Sequence, residues 1–393
     1  MNKKLFFQCA IIASALYLSA CSDSDDAIGS STGICSDCAV ITSIAADFGS
    51  SAIDFAETSY PYEVKTGFAA QDLSDIRATS YGDHFYRIGR YLQDNISKWS
   101  FDNTDSSVWE FSVGAFANPY DVVFVSENKA YVLLWSDSKI WIIDPSVTGN
   151  SDAASFKTGE IDLSAYNQGT GSNAAAAILD NGYLYVLLEG LDSNYVPQTS
   201  HLVKIDTMGD FELDVNGAAT AGKGYALNVK NAGDIEIFNG TIYVSGKGRY
   251  ASASAGRPEP ELTGGIEKVD ISSDTFTSTL LVDDNHANVG AQITGFEIAD
   301  ATTAYLTRYN AWQNNDIIKF NPATGEVDAQ PLSGYAGKDV RFIEVDGENQ
   351  LWIGIGSVTA PHVDILSTVD DSLLGSVSLT RNPAAITFAD TTN

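Results

Sequence analysis

The strongest constraint on the fold is a strand pattern that recurs along most of the chain. A first type of strand appears seven times: DIRATS at 75, DVVFVS at 121, AAAILD at 175, DIEIFN at 234, GFEIAD at 295, RFIEVD at 341 and AAITFAD at 384. Three further strand-like runs follow each of the first six. Short runs rich in β-branched and aromatic residues, separated by Gly, Asn and Asp, are typical of β-strands. The pattern therefore predicts an all-β chain of repeated four-stranded units.

The spacing of the repeat indicates how these units are arranged. Successive first strands lie roughly 43 to 61 residues apart, which is the length of a β-propeller blade. The last of them has no strands after it, but the N-terminal part offers three: AVITSIAAD at 39, SAIDFAET at 51 and PYEVKTGF at 61. We predict a seven-bladed β-propeller closed by pairing of the N- and C-terminal strands, because closure leaves only short, protected sheet edges. A pair of β-sandwiches is the alternative.

The first residues have the pattern of a targeting segment. Lys3 and Lys4 are followed by an apolar run too short to span a bilayer, and then by Leu18-Ser19-Ala20-Cys21. This ending resembles the lipobox of bacterial lipoproteins. The resemblance implies that residues 1–20 are a signal peptide and that acylated Cys21 anchors the chain to a lipid bilayer. The alternative is an ordinary secretory leader with a chance cysteine.

The residues after Cys21 predict a tether and its cellular location. Ser22 is not the aspartate that often retains lipoproteins at the inner membrane, which favours an outer-membrane anchor facing the periplasm or the cell surface. Residues 21–38 form a small, acidic, flexible tether. In an oxidising envelope we expect Cys35 and Cys38 of its CSDC motif to form a local disulfide. The propeller domain then covers residues 39–393.

One blade carries a family resemblance. The stretch ANPYDVVFVSENKAYVLLWSDSKIWIIDPSV at 117–147 resembles the YVTN-type repeat of surface-layer-like propellers. The matched features are Asn-Pro before the first strand, Ala-Tyr-Val on the second and Ile-Asp-Pro after the third. The other blades match more loosely, as in the LYVLL of blade 3 and the IYVSG of blade 4. The resemblance implies the same closed propeller.

Charge and motif content exclude several functions. The formal net charge is −29, and a surface of that charge repels nucleic acid and anionic lipid head groups. His84, His201, His286 and His362 have no metal-binding spacing, and no nucleophile elbow is present. The acidic runs DNTD at 102 and DDNHAN at 283 lack the alternation of a calcium loop and are interpreted as solvated turns. We therefore predict no cofactor and no metal, and we expect a monomer.

Candidate ligand-binding residues lie in the predicted loops between second and third strands. Those loops and the links between blades share one face of a propeller, where binding usually occurs. Three of them carry Arg-Tyr pairs, in GRYLQDN at 89, GRYASASAGRPEPELTGG at 248 and TRYNAWQNND at 307. Arginine recognises carboxylate and phosphate oxygens, and aromatic rings stack. The predicted ligand residues are Arg90, Tyr91, Trp135, Tyr195, Arg249, Tyr250, Arg257, Arg308, Tyr309 and Trp312. The alternative is that the arginines pair with neighbouring carboxylates.

Three functions remain open. The first is a binding module that captures a small anionic or chelate-like ligand for a partner transporter. The predicted anchor and fold resemble propeller lipoproteins that deliver cobalamin or siderophores to outer-membrane transporters. The second is an envelope scaffold that docks proteins, and the third is a propeller hydrolase or lyase. The sequence shows no pair of catalytic groups, so we expect the binding module rather than an enzyme.

Overall fold

Seven separate antiparallel sheets contain the strands of this protein. The computed structural model describes residues 37–217, 222–252 and 255–389, all of them within one structural unit. Cys21, Cys35 and the predicted signal peptide lie outside the described residues. The all-β prediction is confirmed, since the helices among the described residues are three short turns: Asn150–Asp152, Ala153–Phe156 and Ser164–Tyr166.

The strands follow the predicted repeat. The first three are β1 (Cys38–Ile44), β2 (Ser51–Glu57) and β3 (Val64–Gln71). Blade 1 contains β4 (Ile76–Tyr81), β5 (His84–Gly89), β6 (Asn95–Ser100) and β7 (Trp109–Ser112). Blade 2 contains β8 (Pro119–Ser126), β9 (Lys129–Leu134), β10 (Lys139–Ile143) and β11 (Lys157–Asp162). Blade 3 contains β12 (Ala174–Asp180), β13 (Tyr183–Leu188), β14 (His201–Asp206) and β15 (Phe211–Leu213), with the short β16 (Tyr225–Ala226) beside β14.

The remaining strands complete the ring. Blade 4 contains β17 (Ala232–Phe238), β18 (Thr241–Gly246), β19 (Gly265–Asp270) and β20 (Thr277–Asp283). Blade 5 contains β21 (Gln292–Ile298), β22 (Ala304–Ala311) and β23 (Asn314–Phe320). Blade 6 contains β24 (Val340–Val345), β25 (Gln350–Ile355), β26 (His362–Ser367) and β27 (Leu373–Ser378). The last strand, β28 (Asn382–Phe388), joins β1, β2 and β3 as blade 7.

The two ends of the propeller close the ring as the sequence predicts. Strand β28 pairs antiparallel with β1, which places Ala39 opposite Phe388 and Ile41 opposite Ile386. The innermost strand of every blade contacts that of the next, and β28 contacts both β24 and β4. The predicted seven-bladed propeller, closed by its terminal strands, is confirmed.

The hydrophobic core is divided between the blades. Each of seven large clusters of buried side chains joins two neighbouring blades, so that no blade buries its apolar faces alone. Blades 6 and 7, for example, share a cluster around Trp352, whose ring centroid lies 5.6 Å from that of Phe388. Because apolar burial is the main favourable contribution to folding, the stability of each blade depends on both of its neighbours.

Blade 5 departs from the predicted pattern in two places. The predicted fourth strand, EVDAQPL at 326, forms only an isolated bridge between Val327 and Phe320. Residues 328–330 are exposed, and Pro331 has no N–H to donate to a ladder, so pairing does not extend. The predicted loop at 307–316 is also wrong, because β22 continues to Ala311 and only Trp312 and Gln313 form the turn.

Candidate functional site

An axial cavity of about 570 Å³ lies where the seven innermost strands converge. Its walls include Arg77 of β4 and Glu344 of β24, and its outer part is lined by loop residues such as Trp312, which is exposed. The cavity therefore reaches the face that carries the second-to-third-strand loops and the links between blades, which we call the mouth face. Its volume is in the range of small-molecule sites.

Four stacked side chains form one side of the mouth. The guanidinium carbon of Arg90 lies 3.8 Å from the ring centre of Tyr120. Tyr120 stacks on Trp135 at 5.7 Å, and Trp135 stacks on Tyr195 at 6.2 Å. These residues come from blades 1, 2 and 3, so the stack joins three blades. A cation held over an aromatic face is stabilised by the quadrupole of the ring, which fixes Arg90 at the cavity wall.

Glu189 supports this stack from within the protein. Its Oε2 accepts a hydrogen bond of 2.7 Å from Nε1 of Trp135, and the residue is only 7% exposed. Burial raises the pKa of Glu189, although Lys247, Trp135 and Arg90 each lower it. The same carboxylate thus orients the tryptophan and contributes to the cavity lining.

A second group of aromatic side chains lies on the other side of the mouth. Tyr309 and Trp312 of blade 5 line the cavity. Tyr250 packs edge-on against Tyr309 at 5.2 Å, and Phe48 lies 6.3 Å from Trp312. Rings that remain accessible beside a cavity offer flat apolar surfaces for a ligand. The mouth therefore combines aromatic surface with positive charge.

Four cations line the cavity, and they differ in how they are paired. Arg341 bonds Asp339 at 2.7 Å, and Arg90 approaches Asp75 at 3.6 Å. Arg77 and Lys247 make no ion pair within 4 Å and no side-chain hydrogen bond with any residue of the described ranges. These two charges face the cavity and are available to a ligand.

The deeper wall carries four carboxylates from blades 4, 5 and 6, which we call the inner carboxylates: Asp234, Glu236, Glu297 and Glu344. Three of them accept backbone N–H bonds from the innermost strand of the next blade. Asp234 accepts from Phe296 at 3.1 Å, Glu236 from Ile298 at 3.0 Å and Glu297 from Val345 at 3.3 Å. These three therefore join neighbouring innermost strands to one another, and Asp234, Glu297 and Glu344 line the cavity.

Burial and mutual repulsion favour protons on these groups. Burial raises the pKa of Glu344 to about 8. The negative charge of Asp234 also raises this pKa, and the positive charge of Arg77 lowers it. The pKa of Glu236 also rises to about 8, mainly through burial and also through Asp234 and Glu344. Burial and the neighbouring carboxylates hold the pKa of Glu297 well above its ordinary value. Carboxylates that share a site in this way cannot all ionise at neutral pH.

The Glu344→Gln variant is expected to be more stable than the wild type at pH 8 and equally stable at pH 4.5. In the wild type, the folded state holds a proton on Glu344 up to about pH 8, whereas the unfolded state releases it near 4.5. Stability therefore falls as the pH rises through this window, and glutamine removes that fall. Thermal unfolding should show a rise in Tm of about 3 °C or more at pH 8.

The matched control is Glu348→Gln, on the hairpin that follows β24. Glu348 is exposed, and its substitution should leave the Tm unchanged at both pH values. Equal melting temperatures for the Glu344 variant and the wild type at pH 8 would contradict proton retention at this position.

The structure places the ten predicted ligand residues in different environments. Arg90, Tyr309 and Trp312 line the cavity. Trp135 and Tyr195 belong to the stack beside it, and Tyr250 packs on Tyr309. Tyr91 is exposed at the mouth face and is absent from the cavity lining.

The other three arginines have partners within the protein. Arg249 pairs with Glu261 at 2.9 Å. Arg257 donates to the carbonyl of Tyr250 at 3.0 and 2.6 Å. Arg308 pairs with Asp316 and also donates to the carbonyls of Asn288 and Val289. The three Arg-Tyr pairs are therefore not equivalent, and Arg90 is the one whose arginine lines the cavity. Ligand contact by these ten residues stays a prediction.

Arg77, Lys247 and the inner carboxylates were missed by the sequence analysis. A usable signal was present, because the first-type strands DIRATS, DIEIF, GFEI and RFIEV carry charged residues within otherwise apolar runs. An innermost strand faces the axis, so a charge at such a position lies in the channel rather than in solvent. Attention to loops alone overlooked these strands.

The described residues were compared with the requirements of a metal site, a membrane-spanning helix and the predicted disulfide. Within residues 37–217, 222–252 and 255–389, no group of three His, Cys, Asp or Glu side chains is arranged to hold a metal ion. In the same ranges, no helix has the length and apolar character needed to cross a bilayer. Cys38 is disulfide-bonded and 2% exposed, while Cys35, its predicted partner, lies outside the described residues.

Comparison with known proteins shows the fold. No protein-family model matches this chain, and no curated protein sequence matches it. A candidate 6-phosphogluconolactonase from Bacteroides fragilis is similar in structure, with a TM-score of 0.58 and 12% identity over 90% of this chain and 98% of that one. Apo AztD from Citrobacter koseri gives a TM-score of 0.51 and 12% identity over the same shares. Virginiamycin B lyase from Staphylococcus aureus gives 0.50 and 13% over 83% and 93%.

These similarities carry no activity to this chain. Identities of 12 to 13% are too low to indicate more than a shared propeller. The names of the three proteins also differ in chemistry, as expected for a fold on which unrelated sites have evolved. Function has to be argued from the cavity itself.

Proposed function

We propose that this protein is a binding propeller that captures a small anionic or chelate-like ligand in its axial cavity. The observation that carries the proposal is a cavity of about 570 Å³ faced by Arg77 and Lys247, neither of which has an ion-pair partner within 4 Å among the described residues. A buried or half-buried cation without a counter-charge is costly, so an anion bound there is stabilised. The aromatic mouth would hold the body of the ligand.

The proposed anchor is compatible with a free mouth. Strand β1 runs from Cys38 to Ile44, and Ile44 lines the cavity. Cys38 is therefore at the far end of the strand, about 20 Å away at the usual rise per residue. A tether at residues 21–38, attached to the outer membrane through acylated Cys21, would enter the propeller at Cys38, on the face opposite the mouth.

An envelope scaffold is a second candidate, favoured by exposed apolar residues on the mouth face. Loops there expose Phe48, Tyr91, Leu92, Phe116 and Trp312 in a strongly acidic protein. Such residues occur at protein-docking surfaces.

A hydrolase or lyase is a third candidate, favoured by Glu344, whose pKa of about 8 would suit a general acid.

Binding of anions to the wild-type protein is the test of the proposed function. Isothermal titration calorimetry with acetate, benzoate, citrate and inorganic phosphate should detect at least one ligand with a Kd below about 1 mM, which corresponds to about −4 kcal/mol. Matched neutral compounds, such as benzamide for benzoate, should bind at least tenfold more weakly.

The three candidates give different results. Saturable binding without turnover supports the binding module. Co-purification of one protein partner, with no affinity for any anion of the panel, would favour the scaffold and refute the proposal. Chemical conversion of a bound compound would favour the enzyme.

A further inference from the structure

Acidic and basic side chains from four blades lie together around the cavity. Five of them line it: Arg77 and Arg90 of blade 1, Glu189 of blade 3, and Asp234 and Lys247 of blade 4. Asp121 of blade 2 directly follows the cavity-lining Tyr120, and both arginines of blade 1 lower its pKa, which burial raises. We call these six residues the charge ring.

The carboxylates of this ring are held by other donors and do not pair directly with the cations. Asp234 accepts from the N–H of Phe296, Glu189 from Nε1 of Trp135, and Asp121 from the N–H of Val122 at 2.8 Å. Within the described ranges, none of these carboxylates forms an ion pair shorter than 4 Å with Arg77, Arg90 or Lys247. Arg90 pairs instead with Asp75, whereas Arg77 and Lys247 have no ion-pair partner in those ranges.

Arg77 and Lys247 are the two members of the ring that line the cavity and have no ion-pair partner within 4 Å among the described residues. Both also lower the pKa of Asp234, which burial raises. Gly233 leaves room for the side chain of Lys247 because it has no Cβ. A Cβ at this position would lie 3.1 Å from Nζ of Lys247, which is a tight contact. Gln292 donates to the carbonyl of Lys247 at 2.6 Å, which fixes its backbone. The seat beside these cations is thus built by blades 1, 4 and 5.

We propose that a planar organic carboxylate binds in the axial cavity with its carboxylate towards Arg77 and Lys247 and its ring towards Tyr309 and Trp312. This inference rests on the proposed function and identifies the ligand class and the residues that recognise its charge. Arginine presents a planar pair of donors that matches a carboxylate, and lysine adds a point charge. The two rings at the mouth then offer stacking partners for an aromatic body.

The inner carboxylates do not oppose this anion while they hold protons. Glu344 faces Glu297 of β21, Asp234 and Glu236 of β17 and Arg77 of β4. Of the other strands packed against β24, β25 and β28 carry no charged residue, and β23 carries Asp316 and Lys319, which pair with Arg308 and Asp371. Because burial raises the pKa of Glu344 and of Glu236 to about 8, the negative charge of this wall increases only at alkaline pH. Affinity for an anion should therefore fall as the pH rises from 7 to 9.

The test uses benzoate as the probe, benzamide as its neutral match and the full chain. We expect Arg77→Met and Lys247→Met each to weaken benzoate binding at least tenfold, and Arg77→Lys to recover part of the loss. The control is Arg249→Met, which removes a mouth-face arginine that pairs with Glu261, and it should bind benzoate like the wild type. Circular dichroism verifies that each variant is folded.

The pH dependence supplies an independent readout. Wild-type affinity for benzoate should fall about tenfold or more between pH 7 and pH 9, and Glu344→Gln should reduce that fall. If benzoate binds but the Arg77 and Lys247 variants keep wild-type affinity, the seat is refuted while the binding function stands. If the wild type binds no anion of the panel, both proposals fail. Binding that is equally strong at pH 7 and pH 9 would refute the role of the inner carboxylates.

Discussion

Ending the chain at Asn382 is expected to abolish the cooperative fold. This truncation removes all of β28 except Asn382, so that β1 loses its partner between Ala39 and Ser43. It also removes Ile386 and Phe388 from the cluster that joins blades 6 and 7. A ring that cannot close leaves two blades with exposed apolar faces, and the loss exceeds the 5–15 kcal/mol typical of domain stability. Circular dichroism should show no cooperative thermal transition.

The matched control for this truncation ends the chain at Ala389. It keeps every residue of β28 and the hydrogen bond from the N–H of Ala389 to the carbonyl of Cys38 at 2.8 Å. This longer chain should unfold at the wild-type temperature. A cooperative transition of normal temperature in the shorter chain would contradict closure by the terminal strands.

Trp352→Ala is expected to destabilise the protein by about 3–5 kcal/mol, in the range of large core truncations. Trp352 is fully buried, lies 6.0 Å from the ring of Tyr62 and 5.6 Å from that of Phe388, and so links blade 6 to both ends of blade 7. Its Nε1 also donates to Asp346 at 2.8 Å, and alanine leaves that buried carboxylate without this donor. Urea unfolding at pH 7 measures the change.

Two comparisons separate the causes of this loss. Trp352→Phe keeps most of the apolar contact but not the hydrogen bond, and it should cost less than alanine. Trp312→Ala removes an indole that is 67% exposed, and it should change the free energy of unfolding by no more than about 0.5 kcal/mol. A loss below about 1 kcal/mol for Trp352→Ala would show that the contact between blades 6 and 7 contributes little.

The fold was predictable because its signals are local and repeated. Alternation within short strands identified the four strand types, and the orphan strand at 384 pointed to partners at 39, 51 and 61. The register of Ala39 with Phe388 confirms that deduction. The fourth strand of blade 5 was predicted wrongly, since Pro331 and the exposed residues before it do not sustain a ladder.

The candidate site was predictable only in part. Loop position alone selected three residues that line the cavity, namely Arg90, Tyr309 and Trp312. Local sequence does not reveal which arginine will find a carboxylate within the protein, and the partners of Arg249 and Arg308 lie 12 and 8 residues further along the chain. The charges on innermost strands come to face one cavity only when the ring closes, as with Arg77 of blade 1 and Asp234 of blade 4.

The charge ring and the inner carboxylates include polar groups that are buried beside a cavity. A polar group is costly to bury unless it is paired, and Asp234 and Glu297 accept backbone hydrogen bonds there. Arg308 and Asp316, by contrast, close on one another as an ion pair. A small anion in the cavity, as proposed above, would supply the partner that Arg77 and Lys247 lack among the described residues.

The most direct test of the account is to locate a bound aryl carboxylate. Crystals of the protein soaked in 4-bromobenzoate should show an anomalous bromine peak in the axial cavity beside Tyr309 and Trp312, with the carboxylate towards Arg77 and Lys247. An empty cavity, with bromine signal found only on the outer surface, would contradict the central claim that this propeller binds a small anion on its axis.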